Sequence, residues 1–123
     1  MSLVEAFASQ LPGSLLRLSD DEWSVNKLCT QVVHEATSRT AFESIVGIVQ
    51  LAASQTDSYA FASCCSLASQ LASLSGTTEQ PKGMQKALAE ALATSVQLEA
   101  SRELSSLWRW YRLPPNPSIE GTA

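Results

Sequence analysis

Histidine is almost missing from this chain: His34 is the only one in 123 residues. A serine or cysteine nucleophile needs a base positioned beside it, so a single imidazole leaves little room for a catalytic dyad or triad. Serines occur throughout, but no G-x-S-x-G elbow presents one. Zinc ligands are equally scarce. Of the three cysteines, Cys64 and Cys65 are adjacent, which on a helix turns them about 100° apart. With Cys29 they make no C-x-x-C pair. Neither Gly76 nor Gly83 leads into the Lys-Ser/Thr ending of a phosphate-binding loop. No catalytic, metal-binding or cofactor-binding residue is therefore assigned, and the chain is not expected to be an enzyme. The cysteines read as buried structural thiols. His34 reads as a cation near the end of its helix, where the dipole favours one.

Basic residues are also few. Eight Lys and Arg against 12 Asp and Glu give a formal net charge of -4. That balance argues against general affinity for nucleic acid or for anionic membrane surfaces, both of which need clustered cations. No apolar run approaches the roughly 20 residues of a membrane span. The N-terminus has no basic region, and Glu5 stands where a signal peptide would be apolar. An odd number of cysteines suits a reducing compartment. The expectation is a cytoplasmic protein.

What the chain does have is helical periodicity, and no period-two alternation long enough for a strand. Ser2-Leu3-Val4-Glu5 matches a capping box, with a stripe from Leu3 to Leu11 that Pro12-Gly13 would end. Ser19-Asp20-Asp21-Glu22 matches a second box, with Leu18 and Trp23 spaced as a hydrophobic staple, opening a helix to about Thr37. Thr40-Ala41-Phe42-Glu43 matches a third, opening a helix to about Ala53. Asp57 caps a helix to about Leu74 that is apolar nearly all round and so should be central; Gly76 is its left-handed stop. Thr77 to Gln80 forms a further box before Pro81. From Lys82 to Arg112 the apolar residues Met84, Ala87, Leu88, Ala91, Leu92, Val96, Ala100, Leu104, Leu107, Trp108 and Tyr111 fall on one face, predicting a long helix whose weak point is Glu99-Ala100-Ser101. Glu99 and Glu103 would share a face of it. The fold expected is all-α: a five-helix antiparallel bundle or orthogonal array over 1–112, followed by a flexible, Pro-rich tail over 113–123.

A weak internal repeat runs through this pattern. Asp21-Glu22-Trp23-Ser24-Val25 aligns with Asp57-Ser58-Tyr59-Ala60-Phe61, and Cys29 with Cys65, at one offset. Two helical hairpins at that period resemble HEAT-type repeats; the compact bundle is the default.

The segment that the core does not absorb is Leu107-Trp108-Arg109-Trp110-Tyr111-Arg112. Aromatic residues with Arg are what interface hot spots favour. The candidate partner-binding residues are Trp108, Arg109, Trp110, Tyr111 and Arg112, with Trp108 and Tyr111 also on the core stripe. Three functions fit. One is a protein-interaction module binding another protein. A second is a small-ligand binder or enzyme with a pocket lined by Trp23, Phe61, Cys64 and Trp108. A third is a homodimer through 98–112.

The tail carries a resemblance. Asn116-Pro117-Ser118-Ile119-Glu120-Gly121-Thr122 resembles the translated ends of proteobacterial genes that run into mobile-element recombination sites such as integron cassettes. The resemblance implies bacterial gene context and would make the tail a by-product without structural role. Small acidic helical proteins from such loci are often immunity proteins, antitoxins or adaptors, which agrees with the interaction-module reading.

Overall fold

The computed structural model describes residues 2–120, with the side chain of Glu120 excepted. Every regular element among them is helical. Five longer helices run α1 (Leu3–Leu16), α2 (Ser24–Glu35), α3 (Ser38–Ala53), α4 (Ser58–Ser75) and α5 (Met84–Gln97). Two short ones follow, α6 (Ser105–Trp110) and α7 (Pro117–Glu120), and single 3-10 turns occupy Arg17–Ser19 and Ser101–Leu104.

The organising pair is α3 with α4, and α4 is central as its nearly continuous apolar character predicts. α4 packs against α2, α3, α6 and the second 3-10 turn; α3 packs against α1, α4 and α5. The sequence of α4 explains its place. Ala60, Phe61, Cys64, Cys65, Leu67, Ala68, Leu71 and Ala72 are all buried, which leaves only a narrow strip through Tyr59, Ser66 and Ser73 exposed. Both its ends are fixed as the sequence predicts. Asp57 Oδ2 accepts from the Ala60 amide at 2.9 Å, and Gly76 closes the helix at φ 73°.

Other helix ends differ from expectation. α1 runs straight through Pro12 and Gly13. Pro12 is exposed, while Phe7, Leu11 and Ser14 keep one buried face at steps of four and three. Burial of that face outweighs the one backbone hydrogen bond proline removes. The box at Ser19 does not form either: residues 17–19 make a 3-10 turn, and α2 starts at Ser24. The staple fails with it, because Trp23 is 58% exposed. α3 begins earlier than predicted. Thr37 and Thr40 cap each other reciprocally, and Glu43 pairs with Arg39 at 3.0 Å instead. The Thr77 box opens no helix; Gly83, at φ 88°, precedes α5.

The long C-terminal helix breaks at its weak point. Glu99 adopts a left-handed φ of 55°, and the Ala100 amide reaches back to the Ser95 carbonyl at 2.8 Å, a Schellman-type ending without glycine. The break swings the chain so that Leu104, Leu107 and Tyr111 bury on the core, while Val96, on the predicted stripe, stays 54% exposed. It also takes Glu99 and Glu103 off any common helix face. The hairpins a HEAT-like repeat would require, α2 with α3 and α4 with α5, are not among the main pairings.

The segment after Leu113 packs as well. Trp108 Nε1 donates to the Pro114 carbonyl at 2.9 Å, and Ile119 on α7 is buried beside the second 3-10 turn. This corrects the picture of a tail that buries little and has no structural role. Residues 121–123 lie outside the described residues.

Gly47 gives a sharp test of how α1 seats on α3. A Cβ there would meet Val4 Cγ2 at 2.7 Å, and valine is stiff at χ1. Gly47→Ala should lower stability in urea unfolding by about 1–3 kcal/mol through overpacking. Val4→Ala in the same chain should recover most of that loss. A Gly47→Ala protein stabilised by about 1 kcal/mol, as helix propensity alone would give, would contradict the close approach.

Candidate functional site

The predicted partner cluster is largely used by its own domain. Trp110 Nε1 donates to the Thr77 carbonyl at 3.0 Å, tying α6 to the loop that leaves α4. Trp108 is bound to Pro114 in the same way. Tyr111 is buried; its hydroxyl has no hydrogen-bond partner, and burial pushes the phenol up from its ordinary value. Arg109 and Arg112 alone of the five are exposed. Arg109 and Trp108 line an open groove of about 400 Å³ with Arg102, Ser105 and Ile119.

The four residues expected to line a ligand pocket do not converge. Phe61 and Cys64 are fully buried. Trp108 faces the groove just described, and Trp23 faces another.

That other groove holds the aromatics the fold leaves free. It lies between the N-terminal halves of α2 and α4 and has a volume of about 340 Å³; Glu22, Trp23, Val25, Asn26 and Cys29 line it from α2 and its lead-in, Tyr59, Ala62, Ser63 and Ser66 from α4, and Glu103 from the second 3-10 turn. Trp23 is 58% exposed and Tyr59 47%. Each sits two residues after an aspartate that fixes a helix start. Asp21 Oδ1 accepts from the Trp23 amide at 3.0 Å, and Oδ2 accepts from Lys27 Nζ at 2.8 Å. The Lys27 ammonium, then the Trp23 amide, hold the Asp21 carboxyl below its ordinary range. Asp57, two residues before Tyr59, caps α4 by accepting from the Ala60 amide. Behind the turn, Ser24 Oγ donates to the Ser14 carbonyl at 2.6 Å, satisfying an orphan at the end of α1 and fixing where α2 begins. The two helices touch below the groove, where Cys29 Sγ lies 4.0 Å from the Ser63 carbonyl.

The repeat alignment was the sequence signal for this site. It aligns Trp23 with Tyr59, and the fold places both on the lining of one groove. The sequence places Trp23 both in a staple and in a ligand pocket, and Tyr59 only in the repeat alignment.

Glu22 and Glu103 are the charged residues of this lining, both exposed. Among the described residues neither takes part in a salt bridge; the two ion pairs are Lys27–Asp21 and Arg39–Glu43. Also among the described residues, no group of three or more His, Cys, Asp or Glu gathers as a metal site, and no helix is long and apolar enough to cross a membrane. His34 lies exposed in the last turn of α2. Comparison of the chain with protein-family models, with curated proteins and with solved structures finds no match.

The thiols give a pH-dependent prediction. Burial pushes Cys29 up to about 11 and Cys64 up to about 12, with Cys29 adding to the latter; Cys65 is raised further, again by burial first. At pH 8 thiol reagents should label the folded chain about a hundredfold more slowly than the urea-unfolded chain, since only thiolate reacts. The folded values exceed the ordinary 9.0, so the unfolded chain loses thiol protons first as pH rises. Their stabilising contribution is whole below pH 9.0 and declines between there and about 11 to 12. Rapid labelling of all three at pH 8 without denaturant would contradict this burial.

Proposed function

We propose that the protein is a small helical interaction module that works by binding another protein, with the groove between α2 and α4 as its partner face. The observation that carries this reading is the exposed pair Trp23 and Tyr59 across one open groove. Large aromatics cost solvation when left in water, and paired on an open surface they are the residues that supply most interface energy. Asp21 and Asp57 fix the backbone from which both rings project. The internal bonds of Trp108 and Trp110 favour this groove over α6 as the partner face. The free buried thiols support a reducing setting such as a bacterial cytoplasm, and an immunity- or adaptor-like role is the reading we carry forward.

A photo-crosslinking residue placed at Asn26, exposed on the groove lining, tests the reading in cells that carry the gene. It should trap a protein adduct, and Trp23→Ala or Tyr59→Ala in the same chain should reduce the adduct about tenfold, as loss of a hot spot does. The same residue at Gln85, exposed on α5, should trap nothing. An adduct from Arg109 and none from Asn26 would move the partner face to α6. An adduct whose mass is twice that of the chain would make the occupant a second copy.

A further inference from the structure

The charge of the groove lining, taken with its aromatics, narrows the partner. On the reading that the groove between α2 and α4 is a protein-binding face, we propose that it takes a peptide segment presenting a Lys or Arg side chain between Trp23 and Tyr59. Glu22 and Glu103 approach from the lead-in to α2 and from the second 3-10 turn, and no Lys or Arg lines the groove. Neither carboxylate has an ion-pair partner among the described residues, so both remain available to an incoming cation. The nearest cation on α2, Lys27, is held by Asp21, which lines a different depression. An aromatic face attracts a cation through its quadrupole, tryptophan most of all. A guanidinium or ammonium placed there meets π faces and carboxylates at once, while its methylene stem covers the rings. Asn26 on the same lining offers its amide to a backbone, while the Ser63 hydroxyl already donates to the Tyr59 carbonyl. The groove is open along its length, so a free small amine would bury little; a peptide gains contact on either side of its cationic residue. The net charge of -4 adds long-range attraction for a basic partner.

The test is a titration of the full chain, followed by the indole and backbone amide resonances. Its probes are the capped peptide acetyl-Gly-Arg-Gly-Arg-Gly-amide, its Glu-for-Arg analogue, and tetramethylammonium chloride at matched ionic strength. The Arg peptide should shift the Trp23 indole and the first turns of α2 and α4. The paired change Glu22→Gln and Glu103→Gln, isosteric and on exposed side chains, should weaken it about tenfold without altering the thermal midpoint. The Glu analogue should shift neither turn. The proposal is overturned if the shifts scatter over the acidic surface and survive that double change, or if the Glu peptide binds equally. Binding of tetramethylammonium as tight as that of the peptide would replace the peptide with a small cation and likewise overturn it. If no basic peptide binds while the crosslinker at Asn26 still traps a protein, the basic partner is excluded and the interaction reading stands.

Discussion

α4 buries most of its circumference and leaves only a narrow strip through Tyr59, Ser66 and Ser73 to water, and the other elements are disposed around that constraint. Its eight buried residues include Phe61, Leu67 and Leu71 with no exposed surface, each worth about 1.5–3 kcal/mol when withdrawn from water. α2 and α3 cover it from the N-terminal half of the chain. The C-terminal half must also come back to it. A continuous helix from Met84 to Arg112, at about 1.5 Å per residue, would carry Leu104, Leu107 and Tyr111 away from α4. The left-handed turn at Glu99 prevents that and lays α6 on the centre. A non-glycine residue in that region is strained by about 1 kcal/mol or more, and the burial that follows offsets it.

Closure of the C-terminal end then consumes the aromatic segment. Trp110 holds the loop after α4 through Thr77, and Trp108 holds the returning tail through Pro114. Ile119 completes the cover over the second 3-10 turn. At the opposite end of α4 the second 3-10 turn brings Glu103 to the groove but no aromatic cover. α2 starts beside α4, and the gap between their N-terminal halves remains open with Trp23 and Tyr59 on its walls. The one end of the central helix is closed by the chain's own tryptophans, and the other presents aromatics without an internal partner.

Much of this was legible in the sequence where a local signal met no competitor. Asp57 and Gly76 bound α4 because a cap and a left-handed glycine at the right spacing point the same way as the apolar run between them. Val25, Leu28, Cys29 and Val32 of α2 and Met84, Ala87, Leu88 and Ala91 of α5 are buried as their period predicts, while Val96 on the same stripe is not. The misread ends have specific causes. A Ser/Thr-x-x-Glu pattern recurs by chance in a chain rich in Ser and Thr, and at Ser19 it lost to the turn that Asp21 makes with the Trp23 amide. At Thr37 the reciprocal cap is made by a second threonine, which the pattern omits. Pro12 reads as a stop until the burial of Leu11 and Ser14 is known. The Trp110 bond to Thr77 spans 33 positions, and no local rule reaches that far. The groove was half legible: the alignment of Trp23 with Tyr59 was visible, but that α2 and α4 lie side by side there is a tertiary fact.

The central claim is that the fold uses two of its three tryptophans for itself and leaves Trp23 free. Indole N–H exchange with solvent, read from the three side-chain resonances assigned by single Trp→Phe changes, tests it directly. The account predicts fast exchange for Trp23 and protection for Trp110, whose N–H is bonded to Thr77, with Trp108 slowed by its bond to Pro114. A protected Trp23 beside a freely exchanging Trp110 would contradict it, and would return the open aromatic surface to α6.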